Sequence, residues 1–461
     1  MKKLIALLFA LLLLLCACTI AEEMLVSGDY TYRPLPRGEA EIVSYGGSAE
    51  NLTVPDRLGG RQVTLIGEKA FNGCESLISL TVPEGVRFVN SLAFLECENL
   101  ARVFLPSSLY DVGYNPFAGC VSLTVVSISP QNPYFEIADG VLFYRPDERL
   151  VFYPRTLADA EYRIPEGTRE ISGFAFFGCD DLSRVDIPGS VTVIEDMAFN
   201  ECGGLTEIVL PASVIELGIN PFTDCINLKE IGVSQDNPYI EVMGGALLSR
   251  SDARLVAWPA ALEKTEYAVP AGTREIGGYA FSRCAKLERV TLPEGLTLIG
   301  DAAFAECESL TEIVIPEGVT EISYAAFSYC ESLERVTLPG SLKRIDEGAF
   351  AKCGNLTETF IPEGVTDIGT AAFFECVNLT RADIPGSVTY LGNMAFGGCK
   401  SLVRVTLSGK MTSVSYATFI YCESLTEIVI PEGVTEIGDY AFYDCVNLTR
   451  ADIPEGVTNI G

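Results

Sequence analysis

Fourteen cysteines stand at positions 74, 97 and 120, then 179, 202 and 225, then 284 and every 23 residues onward to 445. Each has Phe three residues before it and Leu three residues after it. Two gaps, 120→179 and 225→284, break the rhythm with a step of 59, which is 23 plus 36. A fixed apolar triplet with a period in the twenties is the mark of a solenoid, in which each unit buries its apolar side only against its neighbours.

The unit reads L-x-x-[IV]-x-[IL]-P-x-x-V-x-x-I-x-x-x-A-F-x-x-C, and Leu425 to Cys445 shows how it folds locally. Ile428 and Ile430 alternate with Glu427 and Val429, the period of a short strand with one face inward. Pro431 has no N–H for a ladder and, with Gly433, turns the chain. Val434 and Ile437 return inward, and the spacing of Ala441, Phe442 and Cys445 predicts a tight helical turn. Stacked coils would set their strands about 4.8 Å apart.

This 23-residue unit with A-F-x-x-C resembles the BspA-like leucine-rich repeat family of bacterial surface proteins, and the resemblance spans Asp29 to Gly461. The expected fold is a β-rich leucine-rich-repeat solenoid. It has short parallel strands, one or two per coil, tight helical turns and two β-hairpin insertions. The resemblance implies a role in attachment to proteins of a host or a neighbouring cell.

The expected organisation follows from the departures. Residues 1–21 carry two lysines, an apolar run from Leu4 to Leu15 and then small residues, which is a secretory signal peptide. Leu15-Cys16-Ala17-Cys18 alternatively resembles a lipobox, making Cys18 the lipidated first residue of the mature chain. Both readings place the chain outside the cytoplasm, with contact to a membrane only through a lipid anchor. Residues 22–50 lack the unit, alternate like strands and are expected to cap the first coil. The solenoid occupies 51–461, with hairpins projecting near 130–164 and 235–269. Sixteen residues follow Cys445 without cap-like character, so a C-terminal cap is expected to be missing.

Chemistry is constrained by what the repeat equalises. The chain has no histidine, which removes Ser–His and Cys–His pairs, and no C-x-x-C after the leader to build a zinc site. Cysteines at one repeat position would stand about a strand spacing apart, wider than the roughly 3.8 Å Cβ separation of a disulfide. They are read as buried thiols filling the core. Carboxylates recur in rows of equals, whereas a glycosidase needs two in different environments. No enzyme activity, cofactor or metal is expected. The Asn-x-Thr triplets at Asn355, Asn378 and Asn447 precede the repeat leucine and suit a turn. A formal charge of −30 opposes nucleic-acid binding.

The informative feature is the outward strand position. It carries Arg289, Glu312, Arg335, Glu358 and Arg381 in alternating sign, then Arg404, Glu427 and Arg450. Opposite charges on neighbouring strands stabilise and like charges destabilise, so the alternation is first a stability device. The next outward residue is apolar on glutamate rungs, as at Val314, Phe360 and Val429. Apolar residues between charges suit protein binding, so this face is the candidate interaction surface and the hairpins are its rival. The leading function is a secreted or surface-attached protein-interaction and adhesion scaffold with an extracellular protein ligand. The alternative is a carbohydrate- or cell-wall-binding module, for which exposed aromatic platforms are the usual requirement; Trp258 is the sole tryptophan.

Overall fold

One coil explains the rest. In residues 310–333 the strand Glu312–Val314 turns Ile313 inward, and Ile315 follows it into the core. Pro316, Glu317 and Gly318 make a corner, with Gly318 at φ 108°, a conformation that disfavours a side chain. Val319 re-enters the core, the two-residue strand Glu321–Ile322 buries Ile322, and Ala326, Phe327, Cys330 and Leu333 close the coil from its third side. Most coils thus carry one three- or four-residue strand and one two-residue strand; in the coil at Glu358–Thr359 the first is cut to two residues. Both strands pair in parallel with the same strands of the next coil, as Glu312↔Arg335 and Glu321↔Arg344 show. The structure is a computed structural model describing residues 23–157 and 159–461. The expected signal peptide, residues 1–21, and Cys18 within it lie outside the described residues.

The chain divides into two units, residues 1–140 and 141–461. In the first, Leu25–Ser27, Tyr30–Leu35 and Glu39–Tyr45 form an antiparallel meander. Its last strand pairs in parallel with Arg61–Ile66, which begins the ladder through Phe88–Val89 and Asp111–Val112. A second parallel ladder runs Asn51–Thr53, Ser79–Thr81, Arg102–Leu105 and Val125–Ile128. The second unit repeats the two-ladder plan through to Asn459–Ile460.

The core of the second unit is a column of rings. Phe281, Phe304, Phe327, Phe350, Phe373, Phe396, Phe419 and Phe442 lie with successive centroids 4.8–5.9 Å apart and planes within 13°. Beside it runs the thiol column. Most of these thiols donate to the carbonyl of the phenylalanine 26 residues earlier, as Cys307 does to Phe281 at 3.0 Å and Cys353 to Phe327 at 3.1 Å. Cysteine fits because it is compact and apolar yet retains one weak donor. All fourteen are free thiols, and all are buried except Cys74, which is half-buried.

The closing side of the coil is not the helical turn that the sequence spacing suggests. Ala326 N–H bonds Ser323 O and Cys330 N–H bonds Phe327 O, closing two turns whose third residues, Ala325 and Tyr329, have φ of 50° and 58°. A positive φ at that place is the signature of a type II turn and interrupts any helix. The intervening N–H groups are thereby released toward the next coil. Ala325, Phe327 and Tyr329 donate to the carbonyls of Glu347, Ala349 and Ala351 at 2.8–2.9 Å. A helix would have consumed these donors within the coil and left the third side unpaired.

The insertions are not protrusions. Val141–Tyr144 and Arg149–Phe152 pair antiparallel, but Arg149–Phe152 also joins Glu170–Ile171 in parallel, and Val141, Leu142, Leu150 and Val151 are fully buried. Ala246–Ser249 and Arg254–Ala257 behave the same way against Glu275–Ile276. Burying this much apolar side chain, at about 1.5–3 kcal/mol each, favours continuing the ladder over projecting into water. The turns after them place Tyr153 and Trp258 in the ring column, where Tyr153 stacks on Phe176 at 5.1 Å and Trp258 lies 5.9 Å from Phe281. Arg254 donates back to Leu217 O and Gly218 O, and Asn220 to Tyr279 O, tying the inserted coil to its neighbours.

Candidate interaction face

The longer strands of the second unit set the candidate residues in register. Glu266, Arg289, Glu312 and Arg335 stand on adjacent strands of one ladder. Glu358, Arg381, Arg404, Glu427 and Arg450 do the same in the next. Alternation of strand residues sends Ile313, Val336, Val405 and Ile428 into the core, so the charged neighbours must face water.

The charges pair along the ladder where their signs allow. Arg289 lies 3.4 Å from both Glu266 and Glu312, and Arg335 reaches Glu312 at 2.8 Å. The hydrogen bond from Arg335 holds the Glu312 carboxyl below the usual carboxylate range. Arg381 and Arg450 turn instead to Asp383 and Asp452 on their own strands, at 2.6 and 2.7 Å. Arg381 and Arg404 oppose each other in register, a like-charge contact that the ladder rule disfavours.

The apolar residues are single side chains rather than a patch. Phe360 is 75% exposed, and Val314 and Val429 are each 61% exposed. Thr337 stands between Val314 and Phe360; Asp383 and Thr406 stand between Phe360 and Val429. A shallow groove of about 440 Å³ brings Arg404, Thr406, Glu427, Val429 and Arg450 together. A second groove, of about 300 Å³, lies on the same kind of face around Arg184, Asp186, Glu207 and Val209. It falls outside the stretch the sequence singled out, although the same Arg-then-Glu-x-Val signal was present there.

Among the described residues no group of three or more His, Cys, Asp or Glu side chains could hold a metal ion. Among the described residues no helix is long and apolar enough to cross a membrane.

The profile of the family described as BspA type Leucine rich repeat region matches in six copies, over residues 45–144, 151–248, 260–380 and 366–461. The chain belongs to this family. Among solved structures, a BspA-type chain of this length is similar to a leucine rich cell surface protein from Faecalibacterium prausnitzii. That match has 28% identity, 83% of this chain and 94% of the other covered, and a TM-score of 0.47. It is also similar to a leucine-rich repeat protein from Eubacterium ventriosum, at 21% identity, 93% and 95% coverage and a TM-score of 0.48. The pneumococcal vaccine antigen PcpA follows at 17% identity, 95% and 98% coverage and a TM-score of 0.34. No curated protein matches.

This BspA-type solenoid is a repeat scaffold of the kind that mediates protein interaction. It also carries a corner clasp that the sequence reading missed. Glu317 accepts the N–H groups of Gly340 and Ser341 at 2.9 and 3.1 Å. Ser341 in return accepts from Gly318 N–H at 3.2 Å and donates to Val319 O at 2.7 Å. The readable signal was a Pro-Glu-Gly corner followed one coil later by Pro-Gly-Ser, here at 316–318 and 339–341 and again at 362–364 and 385–387.

Proposed function

We propose that the chain is a secreted or surface-attached adhesion scaffold that binds an extracellular protein through its long-strand face and carries out no catalysis. The observation that carries this reading is Phe360, which holds a full ring in water on a rung where ladder stability needs nothing apolar. An exposed ring flanked by balanced charges is the composition of a protein-binding hot spot with a polar rim. Val314 and Val429 extend the same offer along the ladder, so weak contacts can add through multivalency.

The carbohydrate- or wall-binding alternative loses Trp258, which is buried in the ring column, and rests instead on exposed tyrosines such as Tyr416, Tyr421, Tyr440 and Tyr443. The insertions lose weight as a rival surface for the same reason: their strands are core.

The test is immobilisation of the mature chain against a panel of purified extracellular proteins and wall polysaccharides. Phe360→Ala combined with Val314→Thr should cut protein capture at least tenfold while leaving the circular dichroism unchanged. Tight binding of a polysaccharide, with no protein captured, would instead support the alternative.

A further inference from the structure

The long-strand face is self-complementary. From Glu266 to Arg381 the outward position reads Glu, Arg, Glu, Arg, Glu, Arg, on six successive coils. Alternation over an even number of rungs has a symmetry consequence. Reversing the order of the coils converts every positive position into a negative one. Two such faces brought together with their coils running in opposite directions therefore meet Arg to Glu at every rung.

The register is fixed by counting. A two-fold axis parallel to the strands, placed between Glu312 and Arg335, sets Glu312 opposite the second copy's Arg335, Arg289 opposite Glu358 and Glu266 opposite Arg381. Moving the axis one coil toward Arg381 brings Arg289 against Arg404, a like-charge contact. Moving it one coil the other way leaves only four rungs matched. Running the coils in the same direction in register sets like against like throughout, and the one-coil offset that restores Arg to Glu has no two-fold axis.

The neighbouring column agrees independently. Under the same axis Phe360 meets Thr291, with Ala268 and Val314 on the adjoining rungs, so the most exposed ring among the described residues falls where the other copy presents small or apolar side chains. Val314 meets Thr337. The surrounding charge also selects this face. The six outward positions carry three arginines and three glutamates, a balance of zero to which Asp383 beside Arg381 adds one negative charge, in a chain whose formal charge is −30. Two copies repel each other over most of their surface and not here.

We propose that the ligand of this face is a second copy of the chain, held antiparallel with its two-fold axis between Glu312 and Arg335. The inference rests on the reading that the face binds protein, and it names that protein. Six rungs about 4.8 Å apart and about 10 Å wide give roughly 300 Å² per copy, well under the ~800 Å² of a standard interface. The pairing is accordingly weak in solution and suited to arrays of chains on apposed surfaces.

Sedimentation equilibrium of the mature chain at low salt, from about 10 µM to about 1 mM, reads it. The wild type should show concentration-dependent dimer that weakens as added salt screens the charges. Arg335→Glu and Glu312→Arg should each weaken it at least tenfold, since each places two like-charged pairs at the axis. An equimolar mixture of the two variants should dimerise at least as well as wild type, because both central pairs become attractive in the mixed dimer alone. Recovery on mixing cannot come from misfolding. A wild type that stays monomeric throughout, single variants that dimerise normally, or a mixture that fails to recover each overturns the proposal. If the wild type is monomeric yet captures a different protein in a Phe360-dependent way, self-recognition falls and the protein-binding reading stands.

Discussion

Cys330 donates its thiol hydrogen to the carbonyl of Phe304, 26 residues earlier, at 3.1 Å. The same carbonyl accepts the N–H of Cys307 from its own coil, so one oxygen joins the closing turn of one coil to the core of the next. Replacing Cys330 with Ala removes the donor and leaves a small cavity among fully buried side chains. The cost should be about 1–2 kcal/mol, read as a lower urea midpoint. A variant as stable as wild type would show that the column is filler and not a fastener.

Thiol chemistry should separate Cys74 from the others. Burial pushes the Cys376 thiol up to about 12 and the Cys445 thiol up to about 11, so neither supplies thiolate near neutral pH. The hydrogen bond with Cys97 pushes the Cys74 thiol up as well, so exposure and not acidity sets it apart: the mature native chain exposed to iodoacetamide at pH 8 should be labelled first at the half-buried Cys74, and slowly elsewhere. In denaturant fourteen thiols should react. Mass spectrometry finding oxidised pairs, or rapid labelling of Cys376 in the native chain, would contradict this.

Gly348 tests the left-handed turn positions. It sits at φ 63°, and an added Cβ would find only Ala325 at 4.0 Å, so space is not the issue. Alanine already occupies the equivalent place at Ala325 and Ala371. Gly348→Ala should therefore fold and lose on the order of 1 kcal/mol from backbone strain alone. Gly348→Val should lose more, because a β-branched residue tolerates positive φ poorly. Thermal unfolding of both variants decides it.

Glu170 gives the pH dependence a defined sign. Its carboxyl is raised to about 7, first by burial and then by the nearby Glu195 charge, with Arg149 opposing. A carboxyl raised on folding favours the native state while protonated. Its contribution is complete below the unfolded value near 4.5 and is lost as pH climbs to about 7. Glu170→Gln should flatten that decline in the unfolding midpoint between pH 4.5 and 7. An unchanged profile would place the decline elsewhere.

Much of this architecture could be read from residues. The alternation in Glu427, Ile428, Val429 and Ile430 identified the long strand and its outward column, because a two-residue period has one inward solution. The closing side was misread for a physical reason. Ala441, Phe442 and Cys445 have the spacing of a helical face, and the left-handed positions that break the helix hold Tyr440 and Asp444 rather than glycine. Glycine marks the same turns openly only where it happens to occur, as at Gly348 and Gly398. The Phe–Cys spacing marks a coil only where the cysteine is present, so it passes over the two coils with Thr156 or Ala261 in that place, although Tyr153 and Trp258 stand 23 residues before Phe176 and Phe281. For the interaction face, the sequence supplied the order of the charges. Which arginines turn to a neighbouring coil and which to their own strand depends on side-chain conformation, and Arg335 and Arg381 differ in that without differing in type.

Trp258 lies in the ring column beside Phe281 and Tyr267, at the coil that closes the second insertion. Because it is the chain's sole tryptophan, the molecule carries one native optical probe, fixed at one known depth and one known coil. Its emission should be blue-shifted in the folded chain and move to the red when that coil opens to water. Excitation at 295 nm would therefore follow the loosening of a single joint in the solenoid, with no label attached and the tyrosines elsewhere left dark.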